Sequence, residues 1–275
     1  MAQKFSRHIH SFQREILAYQ ILKPLAGKVV PHCIASASAP DGSDGLLLLQ
    51  EIFPCRTGDQ VHGLSFSELS SVAKSIGAVH ARFWNSKQLQ KIKALPLHHY
   101  NRAHETSKHN QSFLRYCRPF LTKKDTKRIQ HFLPTITQAL RQAKNRPITL
   151  VHGDLRADNL LFVRSKVFIV DWQIAARGLG AFDLARVIGG SSTRPLTLRD
   201  QHKLVGIWHQ TLRQGRVRGY NLSDAWWDYR IGVALTLSIP ITNGPTLVQL
   251  STRGRRIARL MVSRFFQNAE NVLGI

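Results

Sequence analysis

Acidic residues are scarce in this chain. Its 275 residues hold 16 Asp and Glu against 39 Lys and Arg, a formal net charge of +23 with a pI near 10.9. Such an imbalance points first to a polyanionic partner, nucleic acid or an anionic membrane. Cysteine is scarce too. Cys33, Cys55 and Cys117 are odd in number, far apart and form no CxxC pair. That excludes a disulfide framework and indicates a reducing compartment, read here as the cytoplasm. Long apolar runs are missing. The most apolar stretch, residues 231–242, is interrupted by Thr, Ser and Pro and falls short of the roughly 20 residues a membrane span needs. It reads as a buried helix, and no transmembrane segment is expected. Several motifs are absent as well. Without G-x-x-x-x-G-K-[ST] there is no P-loop. His104 to His109 is one residue too long for a HExxH zinc helix. Ser71-Val-Ala-Lys74 has the S-x-x-K spacing but lies on a helical stripe and lacks Lys-Thr-Gly.

What is present is enough for a globular fold. The chain is 43% hydrophobic with 13 Phe, which excludes wholesale disorder. Residues 12–22 are apolar at roughly every third or fourth position and read as a helix ended by Pro24 and Gly27. Val29-Val30 and Leu46–Leu49 read as short strands separated by turn residues 39–45. Val72, Ile76, Val79 and Phe83 form a helical stripe over residues 66–84. Beyond it the chain is mostly helical, broken by one strand–loop–strand unit at 148–171. A lobe boundary is expected near residue 55. The basic run 115–128 and the arginines at 253, 255, 256 and 259 read as solvated helix faces. Phe113, Tyr116 and Phe120 sit beside the first run at a spacing that suits core packing, not an aromatic platform for bases.

The few acids are concentrated. Residues 151–200 hold five of the 16, among them Asp154, Asp158, Asp171 and Asp183. Apolar Ile148–Val151 leads into the polar loop His152-Gly-Asp-Leu-Arg-Ala-Asp-Asn159. Leu160–Val163 and Val167–Val170 then form two short strands around a basic turn, with Asp171 at the end of the second. A hairpin of this kind brings Asp154, Asn159 and Asp171 toward one point. Phosphoryl transfer needs such a set: a carboxylate to orient the attacking hydroxyl and accept its proton, and hard oxygen ligands for Mg²⁺ between phosphates.

His152-Gly153-Asp154 with Asn159, then Asp171-Trp172-Gln173, resembles the aminoglycoside phosphotransferase and choline kinase-like superfamily. The fuller string HGDLRADNLLF…VDWQ, with Gly180-x-x-Asp183-Leu-Ala185 after it, looks most like the ecdysteroid kinase-like branch. Ala78-Val-His-Ala-Arg-Phe-Trp84 resembles the helix before the catalytic loop in that branch. The resemblance implies a protein-kinase-like, two-lobed α+β fold, with a truncated N-lobe over 1–55 and a mostly helical C-lobe over 56–275 carrying the catalytic loop 151–173. It implies ATP and Mg²⁺ as cofactors and a hydroxylated small molecule as substrate. Asp154 would be the catalytic base, Asn159 and Asp171 the metal ligands, and His152 and Asp183 the supports of the loop. Glu15 would pair with a phosphate-binding lysine, for which Lys4 is the only upstream candidate. Gln50-Glu51-Ile52 would be the hinge that meets adenine. Asp158 is either a loop cap or a second layer behind the site.

The substrate pocket is expected among the C-lobe helices. Trp226, Trp227, Asp228 and Tyr229 are its most suggestive group, an aromatic wall with one carboxylate, with core packing as the competing reading. A polycationic aminoglycoside needs several carboxylates, and few remain once the catalytic ones are assigned. A neutral hydroxylated, steroid-like metabolite fits better. Two other functions stay open: a kinase-like relic acting as a binding protein, and, ranked behind both, a basic nucleic-acid-binding protein. The family's glycine-rich strand pair has no counterpart, because no Gly occurs before Gly27 and only Met1-Ala-Gln precede Lys4. A triphosphate without that cover loses backbone contacts and shielding from water. The expected outcome is weak ATP binding and weak activity for this chain. A nucleotide titration with Mg²⁺ checks it, and micromolar affinity would contradict it.

Overall fold

The computed structural model describes residues 11–39, 44–98 and 102–275. Helix α1, Ser11–Leu22, buries Ala18, Tyr19 and Leu22 and runs into a 3₁₀ turn at Lys23–Leu25, where Pro24 stops it. Gly27 adopts φ 73° and reverses the chain. The strand expected at Val29-Val30 does not form. Val30 makes one isolated bridge to Ala26, and the Val29 carbonyl accepts the Ile169 N–H at 2.7 Å. The hairpin strand lies just beyond. Strand β1, Cys33–Ser38, pairs antiparallel with β2, Gly45–Leu49. Its run of Ala and Ser lacks the β-branched signature of a strand. The outer face of this hairpin exposes Ile34, Leu46 and Leu48.

Strand β3, Arg56–Thr57, pairs with β5, Leu160–Val163, which pairs with β6, Lys166–Ile169. The register Leu160↔Ile169 and Val163↔Lys166 is the hairpin read from the sequence, and Arg164 at φ 52° makes its tight turn. Strand β4, Thr149–Val151, pairs antiparallel with β7, Ala176–Gly178. The rest is helical: α2, Phe66–Phe83; α3, Lys87–Gln90; α4, Arg102–Cys117; α5, Lys123–Ala143; α6, Ala181–Ser191; α7, Leu198–Gln214; α8, Leu222–Thr236; α9, Ser238–Leu250; and α10, Thr252–Leu273. Four of these helices start on reciprocal capping boxes: Ser65 with Glu68, Thr122 with Asp125, Thr197 with Asp200, and Asn221 with Asp224.

Helix α6 is buried on every side, as a helix at the centre of a domain must be. It packs on α2, α8 and α10. Helices α8 and α9 together, Leu222–Leu250, are long and apolar enough to cross a membrane by length and composition alone. Yet 72% of their most apolar window is buried inside the fold, which is the position of a core helix pair. The segment 231–242 is buried as expected, with Thr242 half-buried, and its helix is broken at Leu237.

Close backbone approach fixes β3 against the loop before β5. A Cβ at Gly58 would lie 2.2 Å from the Ala157 carbonyl oxygen, so only glycine fits without a backbone shift. Gly58→Ala is expected to cost about 1–3 kcal/mol. Urea denaturation of the two proteins measures it, and equal stabilities would contradict the packing.

Candidate active site

The loop 152–159 is held by one buried carboxylate. Asp183, in the first turn of α6, accepts the N–H of His152 through Oδ2 at 2.7 Å and that of Gly153 through Oδ1 at 2.9 Å. His80 of α2 reaches the same Oδ2 at 3.3 Å through Nε2, while its Nδ1 accepts the Trp208 indole N–H at 3.0 Å. A ring nitrogen that accepts an N–H carries no proton, so His80 bears its proton on Nε2 and donates it to Asp183. Gly153 adopts φ 85°, and a Cβ there would meet the Ile174 carbonyl at 2.9 Å and His98 Nε2 at 3.1 Å. His152 is fully buried. Its Nδ1 accepts the Asp154 N–H at 3.2 Å, and its Nε2 donates to the Val170 carbonyl at 2.9 Å. The loop is thereby tied to the strand that delivers Asp171.

These ties gather the expected trio. The Asn159 Nδ2 donates to the Asp154 carbonyl at 3.0 Å, so Oδ1 is the atom left to face a cation. Asp171 sits just past β6 at φ 65°, a left-handed conformation that Asp tolerates better than most residues. Burial pushes its carboxyl above the usual range; the Asp154 charge adds to this, and the Arg156 charge and the Gln173 N–H oppose it. Both oxygens of Asp154 are engaged: Oδ1 by Arg186 of α6 at 2.8 Å and Oδ2 by Arg156 at 3.1 Å.

Glu15 comes from α1. Its Oε1 accepts the Trp172 N–H at 3.2 Å, beside Asp171. Burial and the Asp171 charge push it up to about 7 against the pull of that N–H. Lys4 lies outside the described residues, so its pairing with Glu15 does too. Gln50 and Glu51 are exposed and Ile52 half-buried, on the link from β2 toward β3, with the Gln50 N–H on the His32 carbonyl at 2.8 Å. Glu15 and Asp171 are both raised, chiefly by burial and further by a neighbouring carboxylate, and such crowded oxygens fit a divalent cation. Mg²⁺ takes few protein ligands and fills its shell with phosphate and water oxygens. Among the described residues no cluster of three His, Cys, Asp or Glu suits a metal.

Asp158 is more than a cap. It accepts the Gln60 N–H at 2.8 Å and binds Arg156 and, at 3.2 Å, Arg253 of α10. Burial raises its carboxyl, but these partners prevail and hold it below the usual range. Gln60 is a contributor that the sequence reading missed. Its Oε1 accepts the Ala157 N–H at 3.0 Å and the Ser191 hydroxyl at 2.9 Å. Arg186 and Arg102 were missed as well, since a lone arginine on a helix carries no motif. His80 had a signal, because it lies in the 78–84 stretch already singled out.

The group 226–229 does not wall one pocket. Asp228 is buried against Arg146 and accepts the Tyr220 hydroxyl at 2.8 Å. Tyr229 is buried and donates to Gln201 at 2.6 Å. Trp226 stacks on His202 at 3.5 Å, and Trp227 is 46% exposed beside Arg230. An aromatic run on a helix is spread over several faces: Trp226 and Tyr229, three apart, stack with ring centroids 5.4 Å apart, and Trp227 lies on another face.

A helical lobe carrying this loop and hairpin defines a kinase-like fold. The profile of the phosphotransferase enzyme family, APH, matches residues 4–227, and the chain belongs to that family. Solved structures agree on the fold. A choline kinase from Cryptosporidium parvum is similar with a TM-score of 0.58 and 16% identity, over 94% of this chain and 78% of the other. An ethanolamine kinase from Plasmodium vivax gives 0.60 and 11%, over 93% and 72%. An amicoumacin kinase in complex with AMP-PNP, Ca²⁺ and Ami gives 0.57 and 12%, over 97% and 79%. No curated protein matches the chain.

Glu15 generates a pH dependence. Its folded value of about 7 stands above the ordinary 4.5, so between these values the folded state holds a proton that the unfolded chain releases. Stability therefore falls as pH rises through that window. Glu15→Gln keeps an oxygen for the Trp172 N–H and removes the titration. The variant should gain about 1–3 kcal/mol over the parent at pH 8, after allowance for screening, and nothing near pH 4. Urea midpoints across this range test it, and parallel curves would contradict it.

Proposed function

We propose that this chain transfers the γ-phosphoryl group of ATP to a hydroxyl of a small molecule, with Asp154 as base and Asn159 and Asp171 as ligands of Mg²⁺. The observation that carries this reading is the convergence of the three residues. Asn159 is bonded to the Asp154 backbone, and Asp171 is close enough for the Asp154 charge to raise its pKa. Membership of the phosphotransferase family supports it. So does the fold shared with choline and ethanolamine kinases and with a kinase that holds a nucleotide analogue and Ca²⁺.

In this scheme Asp154 accepts the proton of the acceptor hydroxyl as its oxygen bonds to the γ-phosphorus. The bond from that phosphorus to the β–γ bridging oxygen breaks, and ADP leaves. Bound there, Mg²⁺ would supply charge neutralisation for the transferring phosphoryl group, and Asn159 Oδ1 and Asp171 would hold it. His152 and Asp183 keep the loop in register, as their hydrogen bonds to it support. Residues 1–55 serve as the N-lobe, with Gln50-Glu51-Ile52 as the adenine hinge and Glu15 as partner of a phosphate-binding lysine, for which Lys4 is the candidate. Residues 56–275 act as the C-lobe. The three free cysteines support a reducing, cytoplasmic setting. The ecdysteroid kinase-like affiliation rests on the motif string alone.

One observation favours a second reading. Two guanidinium groups already hold both Asp154 oxygens, as suits a kinase-like binding protein without turnover. Asp154→Asn separates the two. For an enzyme, ADP formation with a panel of hydroxylated acceptors at millimolar ATP should drop about 10²–10⁴-fold, with ATP affinity retained. For a binding protein, turnover is absent in both forms.

A further inference from the structure

Positive charge crowds one side of Asp154. Arg186 reaches it from α6 at 2.8 Å and is 3% exposed. Arg102, at the start of α4, lies over the Phe182 ring at 4.3 Å. Its Nη1 donates to the Ser238 hydroxyl at 2.7 Å, and its Nη2 meets His98 Nε2 at 3.0 Å. His98 in turn abuts Gly153. Arg102 and Arg186 therefore flank Gly153-Asp154 from α4 and α6. Arg156 bonds the other Asp154 oxygen, and its charge bears on both Asp171 and Arg186.

The two guanidiniums, Arg186 buried and Arg102 half-buried, are poorly compensated. The Arg102 Nε and the Arg186 Nη1 are buried without a hydrogen-bond partner. Of the carboxylates nearby, Asp183 is committed to two backbone N–H groups and His80, and Asp154 is shared with Arg156. Burial and the neighbouring Arg186 charge pull Arg102 down to about 9, the mark of a cation short of counter-charge. A cation short of counter-charge inside a fold is costly, and an Arg with a free Nε–H matches a planar carboxylate in a fork.

We infer that the acceptor is an anion: a hydroxy acid whose carboxylate is drawn to Arg102 beside Arg186 while its hydroxyl faces Asp154. This rests on the kinase reading for the role of Asp154 and replaces the neutral, steroid-like acceptor expected from the sequence. An amine-bearing acceptor would meet like charge on this side, which costs affinity.

The test is a binding titration of the full chain with matched probes: glycerate against glyceramide, and 4-hydroxybenzoate against 4-hydroxybenzamide. Ligand-observed NMR reads each pair, and a parallel titration reads ATP with Mg²⁺. At least one acid should bind about tenfold tighter than its amide. Arg102→Met should abolish that preference and leave ATP affinity within about twofold. Arg102→Lys keeps the charge without the fork and should retain a reduced preference; it also serves if the Met variant fails to fold. Equal binding of acid and amide in both pairs overturns the inference. So does a parallel loss of ATP affinity in Arg102→Met, which would assign the cluster to the nucleotide's phosphates. Because binding is read without turnover, the two readings fail separately. An acid preference without phosphoryl transfer removes the kinase and keeps the anion site. Transfer to neutral acceptors without acid preference does the reverse.

Discussion

One carboxylate governs the centre of this protein. Asp183 accepts two consecutive backbone N–H groups, those of His152 and Gly153. Two adjacent donors that converge on one acceptor group require an unusual backbone, and Gly153 at φ 85° supplies it. The residue that follows is Asp154, so the pair of bonds decides where the candidate base stands. His80 and Trp208 hold Asp183 in turn. The loop has little freedom of its own, because an unmade bond here leaves a buried donor or a buried charge unsatisfied. Helix α6, buried all round, is the rigid body on which this depends.

The scarcity of acids acquires a structural meaning. Four of the 16, Glu68, Asp125, Asp200 and Asp224, close capping boxes. Five more, Glu15, Asp154, Asp158, Asp171 and Asp183, meet around the loop and the strand end. Most of the chain's negative charge thus has a local partner that explains it. The basic excess is largely carried on exposed helix faces, but not wholly. Arg186 is inside and Arg102 half-buried, and together they make one side of Asp154 electropositive.

Much of the site was legible because it is local. The Leu160–Val163 and Lys166–Ile169 hairpin follows from two short apolar runs and a basic turn, and it places Asp171 near Asp154 whatever surrounds it. The helices at Ser11–Leu22 and Phe66–Phe83 followed from their stripes. The parts that sequence did not disclose are those supplied across the fold. Gln60 bonds Gly190 across 130 residues, and Thr149 bonds the His80 carbonyl across 69. Neither side chain differs in sequence from an ordinary surface Gln or Thr. Trp226 to Tyr229 illustrate the converse: an aromatic cluster reads the same whether it lines a pocket or fills a core. The strand at Cys33–Ser38 escaped notice because Ala and Ser mark no strand, and its pairing partner alone defines it.

The ties that Gln60 and Arg264 make also set the order in which the protein can assemble. Arg264 donates to the Gln60 carbonyl at 2.7 Å across 204 residues of chain, and to the Gly190 carbonyl at 3.2 Å. Loops of that size close slowly, and their entropic cost precedes any reward. During synthesis the loop carrying Asp154 emerges long before helix α10 exists. For that interval Gln60 and Gly190 lack the cation that finally caps them. The ties around Gln60 and Gly190 are therefore a late product of folding, completed only when helix α10 docks. A chain that has made all its sheets still has to wait for that helix before these carbonyls are capped.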